Sequence, residues 1–169
     1  MRIVSILAPA LLLAGVAAAA AAQATSAPVI KLALFPFELE DVSAGAGTIP
    51  PDGIDREQLR LSTEEARRLI AASGRYQLVD VGAVSDRSAG NLRHCEGCEA
   101  KLAAGLDADQ SMIGIVTRIS RTEYAVTYKL RDVRSGALID TGQTDLRMGA
   151  NVAWSRGARW LIQNRLLER

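Results

Sequence analysis

The apolar and polar positions of the chain follow a pattern that predicts a mixed α/β fold. Val29 to Phe37, VIKLALFPF, is dense in β-branched and large apolar residues, which predicts a strand buried on both faces. Pro36 cannot donate to a strand ladder, so we expect it near the end of that strand. Glu38 to Gly53 holds three glycines and two prolines without a regular period, and it is predicted to be a long loop.

An amphipathic helix follows from Asp55 to Ser73, where apolar residues recur at three- and four-residue steps among charges. Gly74 is expected to end this helix, because glycine readily adopts the left-handed conformation that follows many helices. Ser62 and Glu65 form a capping-box pattern, so a start inside this stretch is a second option. After it we expect a strand at Tyr76 to Val81 and a polar loop at Gly82 to Arg93.

The second half of the chain predicts a short helix, three strands and a last helix. Asp107 follows the short helix, at a place where aspartate tolerates a left-handed turn. In order, these elements are Cys98 to Leu106, Gln110 to Ile119, Glu123 to Val133, Ala137 to Met148 and Val152 to Leu167. We therefore expect a mixed five-stranded sheet in the order β-α-β-α-β-β-β-α. Right-handed crossovers are expected to put the first two helices on one face, with the last helix on either face.

The N-terminal residues resemble a cleavable secretory signal. Arg2 is a minimal positive region, Ile3 to Val16 is an apolar run, and Ala22-Gln23-Ala24 resembles the small-residue cleavage site that ends a signal peptide. We expect residues 1–24 to be removed, leaving a periplasmic protein with no stable membrane anchor; a retained N-terminal anchor is the alternative. Residues 25–169 are then a single α/β domain, since 145 residues suit one core.

Charge disfavours a nucleic-acid partner. The chain holds 20 basic and 19 acidic residues, and removal of Arg2 with the signal leaves 19 of each. A mature protein without net charge lacks the basic footprint that binds phosphate backbones. We expect no nucleic acid among its partners.

Three segments resemble a family of exported bacterial proteins known only as a domain of unknown function. They are Phe35-Pro36-Phe37-Glu38-Leu39, Arg75-Tyr76 to Asp80, and Cys95-x-x-Cys98 leading into Leu106-Asp107-Ala108-Asp109. More distantly, a strand ending in Pro-Phe and an Ala-Asp before an apolar strand with Gly114 are similar to the amino-terminal domain of the translocation protein TolB. The curli-secretion lipoprotein and outer-membrane activators of cell-wall synthases share that pattern. These relatives usually have glycine where Asp107 stands. The resemblance implies an α/β domain that docks partners in the envelope.

Cys95 and Cys98 carry the clearest chemical signal, because two thiols in an oxidising compartment are expected to pair. The closed ring is short, so the bridge is expected to fix the start of the following helix and to stabilise the domain only weakly. A thiol-redox pair is one alternative. A zinc site using His94 with both cysteines is another, although a closed structural site would need a fourth ligand.

No catalytic set, metal site or cofactor site is predicted. His94 is the only histidine, which removes most Ser-His and Cys-His arrangements. Asp107 and Asp109 are expected to cap and solvate a turn. On the last helix, Trp154 and its apolar neighbours predict core packing, and a partner surface flanked by arginines is the alternative.

Both long loops leave the carboxyl ends of strands that precede crossover helices. If those strands are parallel, the loops and the cysteine segment share one edge of the sheet, where open α/β sheets bind ligands. We expect that edge to bind a partner through Gly45, Gly47, Pro50, Pro51, Asp52, Asn91 and His94. The sequence thus predicts a non-enzymatic periplasmic accessory protein that binds another envelope protein. The alternative is a thiol-redox or metal-handling protein using His94, Cys95 and Cys98.

Overall fold

The structure, a computed structural model, describes residues 28–88, 92–147 and 152–168. The predicted signal segment lies outside these residues. The strands are β1 Ile30–Leu34, β2 Glu38–Asp41, β3 Tyr76–Leu78, β4 Gln110–Arg118, β5 Glu123–Asp132 and β6 Leu138–Arg147. The helices are α1 Gly53–Ala72, α2 Gly82–Ser88, α3 Cys98–Ala104 and α4 Trp154–Leu161. A 3₁₀ turn, Leu92–His94, precedes α3, and a π-helical turn, Ile162–Leu166, follows α4. None of the described helices is long and apolar enough to cross a bilayer.

All six strands join one mixed sheet in the order β3-β1-β4-β5-β6, with β2 pairing β4 beyond the end of β1. The β1–β3, β1–β4 and β2–β4 pairs are parallel, whereas β4, β5 and β6 form an antiparallel meander. The predicted mixed α/β class is confirmed. The sheet has one strand more than expected because the predicted first strand is interrupted and then resumes.

A β-bulge causes that interruption. Leu34 pairs with Met112 and Glu38 pairs with Ile115, so four steps along one strand oppose three steps along β4. One extra residue reverses which side chains face each side of the sheet. The continuous strand predicted through Phe37 is therefore wrong, and so is the predicted loop over its first four residues.

Side chains from α1 satisfy the backbone groups that the bulge frees. The Phe37 N–H donates to the Thr63 hydroxyl at 2.9 Å, and Arg67 Nη2 donates to the Leu34 carbonyl at 2.9 Å. Buried backbone groups need such partners. The bulge is thus fixed by a helix that lies about 30 residues further along the chain.

The first two crossover segments lie on opposite faces, contrary to the prediction. The first crossover steps from β1 out to β3, and the second returns past β1 to β4. Two right-handed crossovers that step in opposite directions must use opposite faces. The prediction failed because it assumed that both crossovers step the same way.

Helices α1 and α4 cover one face and enclose what we call the larger core. It includes Leu32, Leu34, Phe37, Leu69, Ile70, Met112, Val126, Tyr128, Trp154 and Leu161. The 3₁₀ turn and α3 cover part of the other face and enclose the smaller core, which includes Ala33, Phe35, Val81, Leu92, Ala103, Ile113 and Ile115. Alternation along β4 sends its side chains to the two cores in turn.

Local signals set the helix ends and one turn. Asp52 caps α1 in a reciprocal capping box with Asp55, so the alternative start at Ser62 is not used. Asp107 has φ 55°, the left-handed turn predicted for it. The loop predicted from Gly82 to Arg93 is wrong, because α2 and the 3₁₀ turn occupy most of it.

Candidate functional site

Glu38 anchors the segment that leads into the cysteines. Because the bulge reverses the phase of β2, this side chain lies on the face of the smaller core, where it is 6% exposed. Its carboxylate accepts the N–H groups of Leu92 and Arg93 at 3.1 and 3.0 Å, and an Arg93 guanidinium nitrogen lies 3.3 Å away. Hydrogen bonds to an ionised acceptor are stronger than neutral ones. Glu38 therefore fixes the 3₁₀ turn against the strand.

Arg118 joins three elements on the opposite face. Its guanidinium lies 3.0 Å from the Asp41 carboxylate and also bonds Asp55 at the start of α1. Burial alone raises the pKa of Asp41, but hydrogen bonds from Ser43 and Arg118 outweigh it, so the pKa of Asp41 is lowered. Burial acts to lower the pKa of Arg118, but hydrogen bonds, of which the one to Asp55 is the strongest, outweigh burial. The pKa of Arg118 is therefore raised. These charges tie the ends of β2 and β4 to α1.

The loop after β2 turns tightly beyond the carboxyl end of that strand. The Ser43 N–H donates to the Asp41 carboxylate at 2.9 Å, and the Ile49 N–H donates to the Gly45 carbonyl at 3.1 Å. Gly47 has φ 74°, which favours glycine because it has no Cβ. Two prolines then lead to the Asp52 cap of α1.

A cleft of about 320 Å³ opens between this loop, β2 and the 3₁₀ turn. It is lined by Leu39, Glu40, Asp41, Gly47, Ile49, Pro50, Pro51, Arg93 and His94. The two segments that the sequence assigned to separate loops thus meet at one edge. Because β2 and β4 are parallel, the cleft lies near the carboxyl ends of both strands.

Four of the seven residues predicted to bind a partner line the cleft: Gly47, Pro50, Pro51 and His94. Gly45 lies within the loop turn, where an added Cβ would sit 3.1 Å from Ile49 Cδ1. Asp52 serves as the helix cap. Asn91 lies outside the described residues.

Five further lining residues were not predicted, namely Leu39, Glu40, Asp41, Ile49 and Arg93. The sequence carried one usable signal for the first three. Glu38, Leu39 and Glu40 alternate charged and apolar side chains, which is compatible with a continued strand, but the proline before them argued against that assignment. Nothing in the sequence marks Arg93, which reaches the cleft through its bonds with Glu38.

Cys95 and Cys98 form the predicted disulfide, and Cys98 is the first residue of α3. The next residue, Glu99, is 2% exposed and accepts Arg131 Nε at 2.8 Å. Arg131 also donates to the Gly136 carbonyl at 3.1 Å. A disulfide and a buried ion pair together fix α3 to the sheet.

Among the described residues, no cluster of three histidine, cysteine, aspartate or glutamate side chains is arranged to hold a metal. His94 is exposed on the rim of the cleft. Asp107 and Asp109 contact Lys31 at the other end of β4, where the Asp109 carboxylate accepts the Lys31 N–H at 2.8 Å. The two aspartates are accordingly part of a turn, as the sequence predicted.

The two tryptophans of the last helix divide between core and surface. Trp154 is fully buried in the larger core, 5.4 Å from Tyr124 between ring centroids. Trp160 is 43% exposed, and Arg165 lies over its ring at 5.8 Å. Core packing explains the stripe that contains Trp154, while Trp160 lies outside it.

The chain belongs to the family DUF3280, described as "Protein of unknown function (DUF2380)", which matches residues 30–166. This confirms the family resemblance drawn from the sequence. No curated protein matches the chain significantly.

Solved structures share the fold at low sequence identity. The LpoB C-terminal domain from Salmonella enterica is 16% identical, with a TM-score of 0.50 over 75% of this chain and 89% of that one. The LpoB C-terminal domain from Escherichia coli is 14% identical, with a TM-score of 0.50 over 70% and 83%. TolB from Acinetobacter baumannii is 14% identical, with a TM-score of 0.45 over 84% of this chain and 29% of that one. The similarity to the two LpoB domains shows the architecture and does not extend to function.

Proposed function

We propose that this chain is a non-enzymatic accessory protein of the periplasm that binds another envelope protein through the cleft and its rim. The observation that carries this proposal is the cleft together with four exposed aliphatic side chains on the segments that border it or adjoin those segments in sequence. We call Val42, Ile49, Ile54 and Ile119 the aliphatic rim. Their exposed fractions are 57%, 64%, 56% and 42%.

The rim residues come from different parts of the chain. Val42 directly follows β2 and Ile119 directly follows β4, one step beyond the Asp41–Arg118 pair of the ladder. Ile49 lines the cleft, and Ile54 precedes Asp55, which bonds Arg118. Exposed apolar patches bordered by polar groups are typical of protein interaction sites.

The charged groups beneath the rim hold this surface in one arrangement. Arg118 links β2, β4 and α1, while Glu38 fixes the 3₁₀ turn that carries Arg93 and His94. A surface ordered before binding loses less conformational entropy when the partner arrives. This supports a docking role for the edge, with the buried carboxylates serving as structural anchors.

The envelope location rests on two sequence features. Residues 1–24 resemble an export signal, and the paired cysteines suit an oxidising compartment. We therefore expect the partner to be an envelope protein.

Two double variants test this proposal. Ile49→Asp with Ile119→Asp introduces charge into the rim, and Leu138→Asp with Ile139→Asp does so on β6, where both side chains are 48% exposed. In affinity capture from envelope extract, we expect a stoichiometric partner to be recovered by the unchanged chain and the β6 variant. The rim variant should bind the partner at least about tenfold more weakly, which corresponds to a loss of roughly 1.4 kcal/mol of binding free energy. Circular dichroism checks that both variants fold.

Equal loss by both variants, or full capture by the rim variant, would contradict this role of the cleft. Deleting residues 44–52 is also expected to abolish capture without unfolding the domain. It removes the Asp52 cap of α1 as well, at about 0.5–2 kcal/mol, so the point substitutions separate binding from stability better.

A thiol-redox role is the second candidate, favoured by the position of the disulfide next to His94 at the cleft. In mass spectrometry of the native protein, a stable disulfide without bound metal would exclude metal handling, whereas a pair that cycles between dithiol and disulfide would show both forms before reductant is added. Cys95→Ser would then abolish the cellular role. A Cys95→Ser protein that keeps its role excludes this candidate and metal handling together.

A further inference from the structure

Among residues 28–88, 92–147 and 152–168, no strand pairs with the edge of β2 that faces the cleft. In the described part of the sheet, β2 pairs with β4 alone, and the cleft is lined by three residues of β2, Leu39, Glu40 and Asp41. An exposed strand edge presents backbone donors and acceptors that can pair with another chain.

The hydrogen-bond pattern shows which backbone groups face outwards. The Val42 N–H donates to the Arg118 carbonyl at 3.0 Å, so Val42 directs its backbone groups towards β4. Successive residues of a strand direct these groups to alternate edges, so Glu40 also faces β4, while Leu39 and Asp41 face the cleft. The N–H of Phe37, the residue before β2, donates to the hydroxyl of Thr63 on α1.

The charges of the cleft balance except at one carboxylate. Asp41 pairs with Arg118, and Arg93 pairs with Glu38. Within the described residues, no basic side chain lies within 4 Å of the Glu40 carboxylate. Opposite charges placed across neighbouring strands stabilise their pairing.

From this geometry we infer that the partner binds as an extended segment added to the open edge of β2. Its backbone pairs with Leu39 and Asp41, and a lysine or arginine lies opposite Glu40. At about 3.3 Å per residue, the four residues of β2 accommodate a recognition segment of about three or four residues. Residues that flank this segment contact the aliphatic rim. The inference rests on the proposed function and specifies how its partner binds.

Amide exchange on the free protein is the first test. The N–H groups of Leu39 and Asp41 should exchange much faster than those of Glu40 and Val42, because only the latter pair with β4. Equal protection of all four would overturn the inference, since the edge would then be closed.

A peptide probe is the second test. The acetylated and amidated peptide Thr-Val-Lys-Val-Thr is compared with two twins, one N-methylated at both valines and the other at the lysine. Only one edge of an added strand faces β2, so one twin should bind at least about tenfold more weakly and the other like the parent. Loss by the valine twin indicates antiparallel addition, and loss by the lysine twin indicates parallel addition.

Binding of the parent peptide should also slow amide exchange at Leu39 and Asp41. Glu40→Gln should weaken it about twofold to fivefold, whereas Glu57→Gln on α1 serves as an unaffected control. Equal behaviour of the two twins, or no protection at millimolar peptide, overturns the inference. The capture experiment stands apart, because a partner that requires Ile49 and Ile119 but leaves Leu39 and Asp41 unprotected supports docking without strand addition.

Discussion

The two faces of the sheet are held by different interactions. The larger core packs big apolar side chains of α1 and α4, including Trp154, Ile70 and Leu161, against the meander. The smaller core is rich in alanine, and polar ties reinforce it: the Glu38 carboxylate, the Glu99–Arg131 pair and the disulfide. Burial of apolar area supplies most of the stability of the first face. The second face, which borders the cleft, owes more to specific contacts that fix its geometry.

Removing the largest buried side chain tests the first half of this comparison. Trp154→Ala should lower the free energy of unfolding by about 3–5 kcal/mol, because it leaves a cavity beside Tyr124. Urea denaturation measures the change. The matched control is Trp160→Ala on the exposed side of the same helix, which should cost less than about 1 kcal/mol. Similar losses for the two tryptophans would contradict the assignment of Trp154 to the core.

Removing Glu38 tests the polar face. Glu38→Ala leaves the N–H groups of Leu92 and Arg93 without their acceptor and should cost about 2–3 kcal/mol. Amide exchange in the 3₁₀ turn should accelerate more than exchange in α1. Glu40→Ala, on the same strand and without such bonds, should change the stability by less than about 0.5 kcal/mol. Equal effects of the two variants would mean that Glu38 does not anchor the turn.

Acid should loosen the contact between α1 and α4 through Glu65. This is the smallest expected effect, because both of its arginine partners, Arg68 and Arg159, are exposed and solvent screens their charges. Hydrogen bonds from Arg68 lead the causes that, against the opposing effect of burial, lower the pKa of Glu65 to about 2, with Arg159 of α4 contributing further. A carboxylate whose pKa is lowered on folding adds stability that is complete above its unfolded pKa near 4.5 and is lost as the pH falls towards 2.

Glu65→Gln should therefore flatten the dependence of unfolding free energy on pH between about 4.5 and 2. Glu64→Gln keeps the Arg159 contact and serves as the control, with the steeper dependence retained. Thermal unfolding followed at several pH values measures both. Identical pH profiles for the Glu65→Gln variant and the unchanged chain would exclude this contribution.

Local sequence patterns predicted the parts of the fold that local rules govern. The alternation in β5 and β6, the charged and apolar steps of α1, and the left-handed turn at Asp107 were all correct. Each depends on neighbours within one turn of helix or one pair of strands. The two thiols of a chain predicted to enter an oxidising compartment were likewise expected to pair, and Cys95 and Cys98 do so.

The tertiary structure alone decided the bulge, the faces of the helices and the composition of the cleft. The bulge depends on Thr63 and Arg67, which are distant in sequence and satisfy the backbone groups that it frees. The face of each crossover depends on the strand order, which no single segment encodes. One residue inserted near Pro36 thus turns Glu38 to the opposite face, because a strand repeats every two residues. The sequence by itself determined the elements and the class of fold, whereas long-range pairing determined which side chains line the cleft.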